Sequence, residues 1–180
     1  VLITTPPASG MAVYDEIRES VDEAVGRING RFRTLEWAPI HYLFRSFPFD
    51  DVACYYAAAD VMWVTPLRDG LNLVAKEFVA AQDAVDGAGA LVLSEFAGAA
   101  VELHGALLTN PYDLANLAEV LGKALAMSED EKRERIRRLS RIVSGYDVRE
   151  WTADVLSAAA GATTHPGSYS GAMPDAWSDR

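Results

Sequence analysis

Short apolar runs recur along the chain at Val1 to Thr5, Ile40 to Phe44, Val61 to Thr65, Ala90 to Ser94 and Leu107 to Asn110. None alternates cleanly between apolar and polar positions, a pattern that belongs to strands covered on both faces. Between them the apolar residues fall at helical spacing. Val13, Ile17, Val21, Ala24, Val25 and Ile28 make one such stripe, followed by Phe49 to Ala59, Leu73 to Ala81 and a short stretch near Ala99 to Leu103. Strand and helix therefore alternate, which predicts an α/β fold with a Rossmann-like parallel sheet and helices on both of its faces.

The pattern changes after Asn110. Leu114 to Met127, Glu129 to Val143 and Arg149 to Ala160 are all helical in spacing, with no strand between them. Asp113 is placed to cap the first of these helices, and Ser128 with Glu131 three residues later has the form of a capping box. From Gly161 onward Gly, Ser, Thr and Pro dominate without an apolar period, so 161–180 reads as a disordered tail behind a domain spanning 1–160.

With 180 residues, half of them hydrophobic, the chain can bury one sizeable core but not two. Val1 already lies in an apolar strand and is not a methionine, which implies an upstream segment and a missing N-terminal partner domain. The net charge of -10 argues against nucleic acid as a partner, because phosphate binding needs clustered cations. The basic run Lys132 to Arg141 is interleaved with Glu131 and Glu134, as on a solvated helix face carrying i to i+4 pairs. The single cysteine, Cys54, cannot form an internal disulfide and sits in an apolar run as a buried thiol would. No apolar stretch reaches the roughly 18 residues of a membrane span, so a cytoplasmic location without membrane association is expected.

His41, His104 and His165 have no Cys, Asp or His at ligand spacing, and no metal is implied. Ser94-Glu95-Phe96-Ala97-Gly98 lacks the Gly two residues before the Ser that a nucleophile elbow requires. Trp37, Trp63 and Trp151 sit in apolar patterns that favour core packing.

The segment that carries chemistry is Thr65-Pro66-Leu67-Arg68-Asp69-Gly70-Leu71-Asn72-Leu73-Val74-Ala75-Lys76-Glu77. It leaves an apolar strand, turns through a charged loop and opens a helix. In parallel sheets, ligands bind outside the carboxyl ends of strands. Gly70 permits close backbone approach, and the amides of Leu71 to Val74 at the helix start suit a diphosphate. Asp69 can accept hydrogen bonds from sugar hydroxyls, and Glu77, further into the helix, can pair with a ribose diol. The same spacing also suits a surface Arg68–Asp69 pair and a solvated Glu77.

The run TPLRDGLNLVAKEFVAAQ from Thr65 to Gln82 resembles the donor-site signature of glycosyltransferase family 20. Gly26 to Gly30, Ala59-Asp60-Val61, LVLSEFAGAAVE from Leu91 to Glu102 and Asn110 to Asp113 extend the resemblance across roughly 1–156. It implies a two-domain GT-B enzyme whose carboxyl-terminal domain binds a nucleoside diphosphate glucose, with a small phosphorylated acceptor held mainly by the other domain. Asp69 would then be the catalytic-site carboxylate on the glucose hydroxyls. Gly70, Leu71 and Asn72 would touch the sugar through backbone, Leu73 and Val74 would hold the diphosphate by their amides, Glu77 would grip ribose, and Arg45, Ser46 and Phe47 would border the base.

Family 20 enzymes retain anomeric configuration with help from the leaving diphosphate. The basic pair that neutralises this diphosphate in the family lies upstream of Val1, so the segment alone is expected to be inactive. No cofactor is implied beyond the donor, expected to be ADP-glucose. Pro6-Pro7 is followed by Ala8-Ser9-Gly10-Met11 where the trehalose branch has an Arg for the acceptor phosphate. Together with Phe44-Arg45-Ser46 and Asp60 to Trp63, this favours the branch that glucosylates glycerol 3-phosphate over the one that uses glucose 6-phosphate. A non-catalytic nucleotide-sugar-binding module is the alternative from another class.

Overall fold

The computed structural model describes residues 1–4 and 12–161. The expectations for Ala8 to Met11, for His165 and for the tail lie outside the described residues, apart from Gly161. The chain divides into two compact units, Val1–Asp60 and Val61–Arg180, each with its own sheet.

In the first unit, β1 (Leu2–Thr4) pairs in parallel with β2 (His41–Leu43), joined through α1 (Ala12–Phe32) and followed by α2 (Phe49–Ala58). Parallel neighbours need a long crossover, and α1 supplies it. Asn29 near the end of α1 ties the crossover to the sheet: its Nδ2 donates to Ile40 O at 2.9 Å and its Oδ1 accepts from Ile40 N at 3.0 Å. An apolar groove of about 540 Å³ runs along α1, lined by Ile3, Ile17, Val21, Ala24, Ile28 and Ile40.

The second unit is built on β3 (Val61–Val64), β4 (Ala90–Ser94) and β5 (Leu107–Thr109), all parallel in the order β3-β4-β5. The crossovers are α3 (Leu73–Ala84) and a 3-10 turn at Gly98–Val101; α4 (Leu114–Ala126), α5 (Glu129–Gly145) and α6 (Val148–Ala159) follow. Every residue of β4 is buried, as the unbroken apolar run requires of a central strand covered on both faces. Phe78 and Val79 of α3, Val92 and Leu93 of β4, Leu103 and Leu139 form the fully buried core.

The parallel α/β architecture holds, with each predicted element within a few residues of its expected place. The strands are nevertheless divided between two sheets, and cover on both faces is not general. His41 and Leu108 are exposed because they lie on short outer strands. Cys54 is exposed on α2, contrary to its apolar surroundings in sequence, since the helix turns that position outward. Trp37 and Trp151 are 57% and 52% exposed rather than packed in a core.

Asp113 caps α4 as expected, accepting from Ala115 N and Asn116 N at 2.9 and 3.0 Å. Ser128 Oγ accepts from Glu131 N at 3.3 Å, but the Glu131 carboxylate turns to Arg135, leaving the box half made. The full capping box is at α6, between Asp147 and Glu150. The basic run on α5 is laced by i to i+4 pairs, Arg133 with Glu129, Arg135 with Glu131 and Arg138 with Glu134. No helix among the described residues is long and apolar enough to cross a membrane.

Candidate donor-binding site

The carboxyl end of β3 delivers the chain into the loop 65–72, and the loop is closed by its own polar side chains. Asp69 Oδ1 accepts from Leu71 N at 3.1 Å and Asp69 Oδ2 accepts from Asn72 Nδ2 at 2.9 Å. Asn72 stands in the left-handed region at φ 67°, which Asn tolerates better than other non-glycine residues. That conformation turns its side chain back over the helix start, where Oδ1 accepts from Ala75 N at 2.9 Å as the N-cap of α3. One side chain thus joins the Asp69 carboxylate to the first turn of the helix.

These bonds decide the state of Asp69. The amide of Leu71, then the side-chain amide of Asn72, hold its carboxyl below the ordinary carboxylate value, against a smaller opposing effect of desolvation. Asp69 is therefore an anion at neutral pH, able to accept hydrogen bonds and unable to donate one. Each oxygen already accepts one internal bond. A carboxylate offers about four acceptor sites, so about two remain for ligand hydroxyls.

Leu73 and Val74 are the first two residues of α3. The cap serves Ala75 N, and among the described residues no acceptor takes the amides of Leu73 or Val74. Two unsatisfied N–H groups at the positive end of a helix suit an anion. Leu71, Leu73 and Val74 are exposed at 46%, 56% and 39%, so the helix start lies at the surface of the unit. Glu77 lies one turn beyond, at i+4 from Leu73 and i+3 from Val74, hence on the same face of the helix. It is exposed.

The loop after β4 supports this arrangement, and sequence reasoning gave it no role. Asp69 pairs with Ala97 in an isolated parallel bridge: Asp69 N donates to Phe96 O at 3.3 Å, and Gly98 N donates to Asp69 O at 2.8 Å. Lys76 of α3 pairs with Glu102, Nζ to Oε2 2.5 Å, with side chains only 17% and 19% exposed. The available signal was the small-residue run Ala97-Gly98-Ala99-Ala100, which marks close backbone approach. Tyr112, three residues beyond β5, meets Phe96 edge-on with ring centroids 5.7 Å apart.

The remaining candidates, Arg45, Ser46 and Phe47, follow the carboxyl end of β2 in the first unit. The Arg45 guanidinium lies 4.4 Å from the Phe47 ring centroid, and Phe47 meets Tyr55 edge-on at 5.6 Å. Cation–π contact places the Arg45 head over the Phe47 ring. The structure thus gathers Asp69 to Glu77 in one place and places 45–47 at a strand end of the other unit.

Comparison with known proteins agrees with the parallel α/β fold. The family model of glycosyltransferase family 20 matches residues 1–160. A glucosylglycerol-phosphate synthase of Pseudomonas anguilliseptica is 54% identical over 158 residues, covering 88% of this chain and 21% of the relative. A bifunctional trehalose-6-phosphate synthase/phosphatase of Thermoproteus tenax is 46% identical over 156 residues, covering 87% of this chain and 21% of the relative. Among solved structures, a UDP-forming α,α-trehalose-phosphate synthase of Burkholderia xenovorans in complex with glucose-6-phosphate superposes with a TM-score of 0.82 at 43% identity, over 87% of this chain and 34% of that one. The chain therefore spans between about a fifth and a third of the proteins it matches.

Proposed function

The chain belongs to glycosyltransferase family 20, and on that premise we propose that it forms the donor-binding part of a retaining glucosyltransferase that transfers glucose from ADP-glucose to glycerol 3-phosphate. The observation that carries the donor assignment is the pairing, in one loop and helix start, of an ionised Asp69 with the unsatisfied amides of Leu73 and Val74. An acceptor of hydroxyl protons beside donors to phosphate oxygens is what a sugar diphosphate requires. The choice of acceptor is supported by the 54% identity to a glucosylglycerol-phosphate synthase and by the absence of an Arg from Ala8 to Met11.

In this reading Asp69 orients the glucose ring through its hydroxyls, and the helix start stabilises the negative charge that develops on the departing diphosphate. Because Asp69 stays ionised, it supplies no proton to the leaving group. Glu77 accepts from the ribose diol, and Arg45, Ser46 and Phe47 border the base. The rest of the full-length protein supplies acceptor contacts and the cations that complete charge neutralisation.

The test is a competition between glycerol 3-phosphate and glucose 6-phosphate in one reaction of the full-length protein with ADP-glucose. Glucosylglycerol phosphate should predominate, since losing one charged hydrogen bond to the acceptor phosphate costs about 1.5–3 kcal/mol, or roughly ten- to over a hundredfold in specificity. Predominant trehalose phosphate would move the chain to the other branch. Donor binding without turnover of either acceptor would favour a binding module.

A further inference from the structure

We infer that Gly98 is a positioning residue for Asp69, an inference that rests on the donor-site reading above. Gly98 lies across from the turn at Asp69 and Gly70, and its amide holds Asp69 O at 2.8 Å while Phe96 O accepts from Asp69 N at 3.3 Å. A Cβ placed on Gly98 would strike the Gly70 carbonyl oxygen, and would come within 2.6 Å of Gly70 C and 3.1 Å of Leu71 N. These are backbone atoms, which no rotamer change can move aside. The floor beneath cannot yield either, because Ala97, Ala99 and Ala100 around Gly98 are 2%, 0% and 7% exposed and Ser94 is fully buried.

The displacement demanded by a side chain at 98 therefore falls on 69–71, the segment that sets the Asp69 carboxylate through the Leu71 amide. The start of α3 is held by different contacts, the Asn72 cap on Ala75 N and the Lys76–Glu102 pair. Sugar orientation and diphosphate binding thus share Asn72 but differ in their remaining supports, and Gly98 serves the first.

In the full-length protein, Gly98→Ala should lower kcat with the donor by a hundredfold or more, since a shift of about 1 Å at a positioning group is worth that much. ADP affinity, which reports the helix start, should stay within threefold. In an Asp69→Ala background the same change should cost less than threefold further, because the group it positions is gone. Turnover of Gly98→Ala within threefold of the parent, or losses that multiply in the double variant, would overturn the inference. A silent Asp69→Ala would instead overturn the donor reading beneath it.

Should Gly98→Ala fail to fold, seen as lost ADP binding, hydrogen exchange on the unaltered protein decides. The amides of Asp69 and Gly98 should exchange at least a hundredfold more slowly than in a free peptide, and exchange at the free-peptide rate would refute the clamp.

Discussion

The Lys76–Glu102 pair offers a quantitative check on how the helix start is held. Lys76 is the fourth residue of α3, so its ammonium sits near the positive end of the helix dipole, which costs about 0.3–1 kcal/mol. The contact of 2.5 Å to Glu102 offsets this, with 17% and 19% of the two side chains left exposed. An open surface pair would contribute about 0–1 kcal/mol, and breaking a fully buried one costs about 3–5 kcal/mol. For a pair lying between these cases, Glu102→Gln should cost about 1.5–3 kcal/mol, the usual worth of a charge-assisted bond. Lys76→Met should cost less, by about the dipole term of 0.3–1 kcal/mol, because it also relieves that conflict.

The assay is urea unfolding of the parent, both single variants and the double variant. With a slope of about 2 kcal/mol/M, Glu102→Gln should move the midpoint by about 1 M, and the double variant should lie close to the worse single one. A Glu102→Gln cost below about 0.5 kcal/mol, or costs that simply add, would show that the pair contributes no more than an exposed one.

Asn72→Ala should cost about 1–2 kcal/mol by removing the cap on Ala75 and the bond to Asp69, while Asn72→Gly, which loses the same bonds, should cost about 1 kcal/mol less because it removes the Cβ that Asn holds in the left-handed region; denaturation midpoints would rank them, and equal costs would refute the strain. Because the folded-state pKa of Asp69 is lowered, its carboxylate adds stability that is present above the unfolded value of about 3.9 and is lost as pH falls through the lower folded value, so Asp69→Asn should flatten the acid limb of the stability–pH curve. Glu134→Gln should leave the thermal midpoint unchanged, although Arg138 holds its carboxyl below the ordinary value, since the pair is an exposed one on α5; a clear drop would refute that.

Element positions were legible in the sequence because they follow from local periodicity and capping. The run Ala90 to Ser94 is a buried strand, and Asp113 caps the helix that follows it. Exposure was less legible, because it depends on what lies opposite. Cys54 and Trp151 have apolar neighbours in sequence, yet each faces outward from a helix. Division into two sheets was equally hidden, since apolar runs announce strands but not which strands pair. Within the site, the strand-loop-helix order pointed to Asp69 to Glu77 but suited a surface Arg68–Asp69 pair and a solvated Glu77 as well, and the family resemblance tipped the choice. The contacts that shape the site could not be read in this way, because Gly98 and Glu102 lie 26 or more residues along the chain from the groups they hold.

Asn72 shows why that distinction matters for mechanism. Asn72 was expected to meet the sugar through its backbone, and its side chain makes two bonds inside the protein, Nδ2 to Asp69 and Oδ1 to Ala75 N. What the loop offers a ligand is therefore polarised: acceptor sites at Asp69, and donors at Leu73 and Val74. A bare phosphate would be drawn to the donors but repelled by the ionised Asp69, and a neutral sugar would leave two helix amides without an anion. A sugar joined to a diphosphate satisfies both ends, because its hydroxyls neutralise the need at Asp69 while its phosphate oxygens take the amides. On the proposed donor reading, discrimination between nucleotide and nucleotide sugar would reside in the spacing of Asp69 from Leu73, with three residues between them. That separation is set by the left-handed turn at Asn72 and by the glycine opposite it, rather than by any residue the sugar itself touches.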